Sequence, residues 1–162
     1  MEVTLAMTLT MLISGTIVTM VAQQVTFMRM LGEFSFLRDE APLVNSLLAR
    51  VFSQSNYYRI YATKSDAFSE VGPVNAGGSA VNLRFVNPDG SMDRAVIAFE
   101  VIGGDAQLNY YHYASGTGWP DTPTWTITSK LANAVFADST GVLTISLTGK
   151  AQEQITYVAA GD

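Results

Sequence analysis

The chain has 162 residues, with nine basic and fourteen acidic side chains and a formal net charge of −5. It contains no cysteine and a single histidine, which excludes disulfides and thiolate nucleophiles and argues against most transition-metal sites. Lysine and arginine form no cluster along the sequence, which argues against a nucleic-acid groove. Charged residues make up only 14% of the chain, whereas a soluble domain has about a quarter, so part of the chain avoids water.

The residues that avoid water lie at the N-terminus. No ionisable side chain occurs between Glu2 and Arg29, and six of the seven methionines fall within the first thirty residues. As a helix, the run from Val3 to Met28 would extend about 39 Å at about 1.5 Å per residue, which exceeds the roughly 30 Å hydrocarbon core of a bilayer. The sequence therefore predicts a hydrophobic stem joined to a polar head. A plain membrane anchor is the simplest interpretation, and a cleaved signal fits less well because no basic segment precedes the apolar run.

Two features of the stem point beyond a plain anchor. Small and hydroxylated residues interrupt it, among them Ser14, Gly15 and Thr16, and such residues favour close helix–helix approach inside lipid or a bundle. Glu2 stands at its start, where a carboxylate within the membrane would cost on the order of 2–3 kcal/mol or more. Glu2 therefore needs a cationic partner or a position at the membrane interface.

The first seven residues, Met1-Glu2-Val3-Thr4-Leu5-Ala6-Met7, resemble the start of type IV pilins and type II secretion pseudopilins. Mature members of that family begin with a Phe-Thr-Leu-x-Glu pattern, which a long apolar run follows. The family's glutamate aligns with Glu2, and the resemblance extends by pattern over residues 1–60. It implies that Glu2 neutralises the N-terminal ammonium of a neighbouring subunit during filament assembly.

The same resemblance implies that the stem packs against the stems of other subunits. The candidate packing residues are Leu5, Leu9, Leu12 and Gly15. The family's basic leader and first mature residues do not precede Met1, so either the start codon was chosen too far downstream or the sequence omits the first residues. A chain that began at Met1 could not be cut by prepilin peptidase. The expected location is a bacterial inner membrane, crossed once with the head in the periplasm, or a periplasmic or extracellular filament.

Helical spacing continues beyond the stem. The apolar positions that recur every four residues are Leu43, Leu47 and Val51, with Leu48 and Phe52 beside them. Pro42 is favoured in the first turn of a helix, so we predict a helix over about 2–38, a break near 40–42 and a second helix over about 42–62. Tyr57, Tyr58 and Tyr61, with Arg59, would close this second helix at the edge of the head's core; a docking surface is the less favoured alternative for this cluster.

From Ser65 onward, turn residues and alternating apolar residues replace the helical spacing. We predict a loop over 66–79, a hairpin over 80–102 with its turn at 87–90, and a tyrosine-rich strand over 107–114. A loop over 115–123 follows. The remaining short strands are predicted around Trp125–Ile127, Val135–Phe136, Val142–Leu147 and Ile155–Val158. Together these give six or seven antiparallel strands, with one sheet face packed on the second helix.

The head offers few candidates for chemistry. His112 lacks a nucleophile motif around it, so catalysis is not expected there. Asp89 and Asp93 flank the predicted hairpin turn and could bind calcium weakly, but a solvated turn is favoured because the oxygen ligands are too sparse. Trp119 and Trp125 could contact a partner subunit or a carbohydrate, although loop anchoring and core filling are favoured. The sequence predicts no enzymatic activity, no cofactor and no metal.

The sequence thus predicts an α+β chain in three parts: a transmembrane or filament-core helix over residues 1–38, a continuation of that helix packed on the head over 39–64, and a β-rich head over 65–162. The predicted function is a pilin-like structural subunit, and the strand count most resembles the J-type minor pseudopilins. The alternative is a membrane-anchored binding module that never polymerises. The expected partners are other pilin or pseudopilin subunits and the inner membrane, with no nucleic acid.

Overall fold

A computed structural model of the chain describes residues 2–33, 36–114 and 117–159. The chain forms two compact units, residues 1–35 and residues 36–162. From here on, the stem and the head denote these two units. The stem is one α-helix, α1 (Glu2–Glu33), which runs through Gly15 without interruption. The sequence predicted this helix to residue 38. It ends earlier, and the next described segment is a π-helical turn, Phe36–Glu40, at the start of the head.

Helix α2 (Ala41–Gln54) follows the π-helical turn, with a proline in its first turn as predicted. Its buried residues are Ala41, Val44, Leu48 and Phe52. The apolar stripe predicted from Leu43, Leu47 and Val51 is not the buried one, since Leu43 is 69% exposed and the other two are half-buried. Both stripes recur about every four residues, so the spacing alone does not distinguish them.

The helix predicted over 42–62 ends at Gln54, and a strand follows, β1 (Tyr57–Tyr61). Ser55 has extended backbone, with ψ of 133°, and its N–H bonds the Phe52 carbonyl at 3.1 Å. Serine and asparagine are weak helix formers, whereas tyrosine and isoleucine favour strands, so the chain leaves the helix where its composition changes. The three tyrosines therefore lie on a strand of the sheet rather than at a helix end.

The loop predicted over 66–79 contains two elements, helix α3 (Lys64–Ser69) and strand β2 (Pro73–Val74). Thr63 caps α3, because its side chain accepts a hydrogen bond from the backbone N–H of Asp66. Glu70 ends the helix in a left-handed conformation, with φ of 57°. A helix of six residues is too short to show a helical spacing of apolar residues, so the turn residues around it led to the prediction of a loop.

Among the described residues of the head there are nine strands in two antiparallel sheets, where the sequence predicted six or seven strands in one. The strands after β2 are β3 (Ala80–Val86), β4 (Met92–Ile102), β5 (Asp105–His112), β6 (Trp125–Thr128), β7 (Leu131–Ser139), β8 (Val142–Gly149) and β9 (Gln154–Ala159). The larger sheet has the order β2-β1-β3-β4-β5-β6, and the smaller sheet has the order β7-β8-β9. The predicted hairpin is confirmed as β3 and β4, joined by a turn in which Gly90 N–H bonds the Asn87 carbonyl at 2.9 Å.

Gly78 joins the two sheets. It forms an antiparallel bridge with Phe136 of β7, through N–H···O bonds of 3.1 and 2.8 Å. A Cβ atom at Gly78 would lie 2.3 Å from Ile60 Cγ2 and 2.6 Å from the Tyr61 carbonyl oxygen. Only glycine allows the backbone to approach β1 this closely while it bonds β7.

The core of the head lies between α2, the inner face of the larger sheet and the smaller sheet. Tyr157 of β9 donates a hydrogen bond to the Ala41 carbonyl at 2.7 Å, and Thr128 of β6 donates one to the Glu40 carboxylate, so the start of α2 is tied to both sheets. A second, smaller core lies on the outer face of the larger sheet, where α3 packs over Tyr61 and Tyr111. The larger sheet is therefore covered on both faces, whereas the sequence predicted packing on one.

Candidate functional site

The stem, where the sequence predicted a site, is exposed along its length. Every residue of α1 from Val3 to Leu31 whose side chain is described is exposed. The segment Ala6–Met28 has a mean hydropathy of 1.5 and none of it is buried, so this helix is long and apolar enough to cross a membrane. Contiguous apolar surface of this extent marks a contact with membrane or protein.

Most threonine hydroxyls of the stem are satisfied within the helix. Five threonine hydroxyls donate hydrogen bonds of 2.8–3.1 Å to backbone carbonyls three or four residues earlier. The donors are Thr8, Thr10, Thr16, Thr19 and Thr26. An unbonded hydroxyl in hydrocarbon is costly, so these bonds make the threonines compatible with lipid or with a dry helix–helix contact. These five hydroxyls therefore do not require water.

A shallow groove follows one side of α1 around Gly15; it includes Thr8, Leu12, Thr16 and Thr19, and we call it the glycine groove. A Cβ atom at Gly15 would meet no atom within 4 Å, so nothing in the stem itself requires glycine. Glycine inside a helix costs about 1 kcal/mol relative to alanine. Because glycine has no side chain, the backbone of a second helix can approach α1 closely at this position.

The predicted packing residues do not all lie together. Leu12 and Gly15 line the glycine groove, and Leu12 is 68% exposed. Leu9 is 57% exposed but lies outside the groove, about 120° around the helix from Gly15. Leu5 lies on α1, although its side chain is outside the described part of the chain, as is the side chain of Glu2. The described site is therefore a face centred on Gly15 and Leu12.

In the head, the candidate residues have structural partners. Asp89 accepts hydrogen bonds from the backbone N–H and hydroxyl of Ser91, and these bonds lower the pKa of its carboxyl. Asp93 accepts a hydrogen bond from Asn87 at 3.0 Å, as expected for a turn that stabilises itself. Among residues 2–33, 36–114 and 117–159, no three His, Cys, Asp or Glu side chains lie close enough to hold a metal ion together.

His112 and the two tryptophans lie in different surroundings. His112 is exposed on β5, with Nδ1 3.4 Å from the Arg94 carbonyl oxygen. Trp119 stacks on Phe68 with ring centres 4.6 Å apart, and its Nε1–H bonds the Phe68 carbonyl at 3.0 Å, which confirms the predicted loop anchor. Trp125 is half-buried against Tyr110, with ring centres 4.9 Å apart, and so lies at the margin of the core.

An electrostatic cluster around Glu100 attaches α3 to the sheet. Lys64 forms a 2.6 Å ion pair with Glu100, which also accepts hydrogen bonds from Tyr111 and, at 2.9 Å, from Asn109. Burial acts to raise the pKa of Glu100, but the hydrogen bonds from Lys64, Tyr111 and Asn109 outweigh it and the pKa is lowered. Because every one of these partners is a side chain of the head, this cluster stabilises the fold.

The sequence prediction missed three arginines that the larger sheet brings together, Arg59, Arg84 and Arg94. They are far apart along the chain, so no basic cluster is visible in the sequence. The signal that could have revealed two of them is the hairpin register, because Arg84 and Arg94 lie opposite each other across its turn. The third depends on β1, which the sequence predicted as helix.

Comparison of the chain with protein-family models, with curated proteins and with solved structures finds no match in any of the three.

Proposed function

We propose that this chain is a pilin-like structural subunit of a type IV pilus or of a type II secretion pseudopilus. The observation that carries the proposal is the stem: a continuous 32-residue helix with an uncharged, exposed, apolar surface over Ala6–Met28. Such a surface is unstable in water and must be covered by lipid or by other helices. In the proposed function it is covered by lipid in the inner membrane first, with the head in the periplasm, and by other subunits after assembly.

The glycine groove supports helix packing in addition to membrane anchoring. Small residues such as glycine are enriched where transmembrane helices contact each other, because they let the two backbones approach closely. Gly15 lowers one side of α1 next to Leu12, and the threonines beside it already have their hydroxyls bonded within the helix. In the proposed filament this side of α1 packs against the α1 helix of a neighbouring subunit.

Glu2 supplies the charge that fixes the register of assembly in this proposal. It is the only acidic residue before Glu33, so it is the only carboxylate that the apolar part of the stem can offer to a neighbour. The resemblance of residues 1–7 to the pilin start assigns it to the N-terminal ammonium of a neighbouring subunit. Pairing of the two charges would offset part of the cost of burying them in a dry helix bundle, and either charge buried alone would be far more costly.

A membrane-anchored binding module is the second candidate, and one observation favours it. Because the threonine hydroxyls bond within α1, the stem can remain in lipid as a single helix without any partner. The two candidates differ in what Glu2 does, since a lone anchor has no ammonium to pair with it. Its substitution therefore separates them.

The test compares Glu2→Ala with the unmodified chain, both expressed from the natural gene with its upstream sequence. We expect Glu2→Ala to stay in the membrane fraction after alkaline extraction and to lose filaments, seen by electron microscopy and by sedimentation of sheared material. Glu33→Ala is the matched control, because it removes a carboxylate at the other end of α1. Equal assembly of Glu2→Ala and Glu33→Ala would contradict the role of Glu2, and an unmodified chain that never assembles would favour the binding module.

A further inference from the structure

The outer face of the larger sheet gathers three arginines at one end. Arg84 of β3 and Arg94 of β4 lie directly opposite each other, and Tyr57 of β1 lies opposite Arg84. Arg59 follows Tyr57 by two residues, which places it on the same face of the strand. We call this surface the arginine face; it consists of Tyr57, Arg59, Arg84, Val86, Met92 and Arg94.

The positive charge of this face is only partly neutralised. Arg84 and Arg94 share one carboxylate, that of Glu70, with N···O distances of 2.6 and 3.3 Å. Arg59 donates a hydrogen bond to the Tyr57 hydroxyl at 3.0 Å and forms no ion pair with a carboxylate in the part of the chain that the structure describes. Even with Asp93 at the rim, cations exceed anions on this face. Like charges placed directly opposite in a sheet repel each other, and Glu70 offsets this repulsion with a single carboxylate that Arg84 and Arg94 share.

The face also has the composition of a protein interface. Val86 and Met92 pair across the hairpin and are 51% and 64% exposed, and Tyr57 is 48% exposed. Arginine, tyrosine and methionine are enriched in protein interfaces. Aromatic rings hold two of the guanidinium groups in place, since Arg94 lies 3.9 Å from the ring centre of Tyr113 and Arg59 lies 5.3 Å from that of Tyr57. Ordered cations lose little conformational entropy when they bind a partner.

We propose that the arginine face binds an acidic surface on the head of a second copy of this chain. Charge complementarity selects this partner, because the chain carries a net charge of −5 and its head has more acidic than basic residues. Two arginine faces repel each other, so the contact joins this face to a different surface of the next copy. Such heterologous contacts do not close into a dimer and can continue along a filament.

The inference rests on the proposed function, because packing of the stems would hold neighbouring heads at high local concentration. At that concentration a weak electrostatic contact between heads becomes well populated. The stems would then supply most of the association, and the arginine face would orient the heads.

The test uses the absence of cysteine from the chain. Met92→Cys introduces one thiol on the arginine face of the full chain, and benzophenone maleimide attached there is photoactivated in membranes and in assembled material. We expect a cross-linked product of twice the chain mass, reduced at least fivefold by Arg59→Glu and by high salt. Lys150→Glu makes the same charge change on the exposed turn between β8 and β9 and should leave the product unchanged. Arg59→Glu leaves both Glu70 ion pairs intact, so the test does not depend on a variant that disrupts α3.

The outcomes separate this inference from the proposed function. Filaments that form without the self-cross-link, or with one that Arg59→Glu leaves unchanged, would overturn the inference and leave the proposed function standing. A cross-link to another protein, to lipid or to nucleic acid in place of a second copy would also overturn it. Absence of both filaments and self-cross-link would overturn both. Near-ultraviolet circular dichroism of each variant establishes that the head is folded.

Discussion

Leu48→Ala should destabilise the head strongly, because Leu48 lies at the centre of the buried side of α2. Its side chain is 1% exposed and packs within the core formed by α2 and the two sheets. Replacement of a fully buried leucine by alanine costs about 2–5 kcal/mol, from lost apolar burial and from the cavity that remains. For a head of this size, that cost corresponds to a fall of roughly 8–20 °C in melting temperature.

Leu43→Ala is the matched control, because it removes the same atoms from the same helix at a position that is 69% exposed. We expect a change within about 0.5 kcal/mol, since an exposed leucine loses little burial and alanine is the better helix former. Near-ultraviolet circular dichroism of the full chain in detergent measures the head alone, because both tryptophans and all seven tyrosines lie there. Equal destabilisation by the two variants would mean that α2 presents a different side to the core, and the packing argument would fail.

Two further predictions concern the glycine groove and the larger core. Gly15→Leu should abolish or strongly reduce assembly, measured by sedimentation, while α1 stays helical. Ala6→Leu should be tolerated, because Ala6 lies nine residues away and about 180° around the helix. Equal effects of the two substitutions on sedimentation would argue against the glycine groove. Burial and the hydrogen bond to Asp138 at 2.8 Å raise the pKa of Tyr58 to about 12, so this phenol stabilises the head below pH 10.0 and the contribution disappears as the pH rises to about 12. In a titration followed by phenolate absorbance, Tyr58→Phe should remove the ionisation near pH 12, and Asp138→Asn should move that ionisation to lower pH. A titration curve that neither substitution changes would refute the assignment of the raised pKa to Tyr58.

The elements that local patterns define could be predicted. The α+β class is confirmed, and so is the hairpin of β3 and β4, whose turn residues lie between two strands with clear alternation. The helical conformation of α1 through the apolar run also follows from the sequence, although the helix ends at Glu33 and not at residue 38. These elements need no information about distant residues.

The elements that depend on distant contacts could not be predicted. Residues 57–61 continue an apolar pattern that fits a helix as well as a strand, and their pairing with β3 along the full length of β1 makes them a strand. Helix α3 has only six residues, and its stability comes from the Thr63 cap and from packing of Ala67 on the outer face of the sheet. The buried side of α2 could not be predicted either, because it is set by contacts with the two sheets, which are distant in sequence.

The candidate surfaces divide in the same way. Leu12 and Gly15 lie on one side of α1 through helical spacing alone, whereas Leu9, which was predicted with them, lies outside the glycine groove. Arg84 and Arg94 are equidistant from the turn of their hairpin, and the register that places Val86 opposite Met92 also places them together. Arg59 joins them only because β1 pairs with β3, and a helix over these residues would have left it apart. The absence of a basic cluster along the sequence therefore does not exclude a basic surface in the folded chain. Here the strand register creates the surface that we propose for contact between heads.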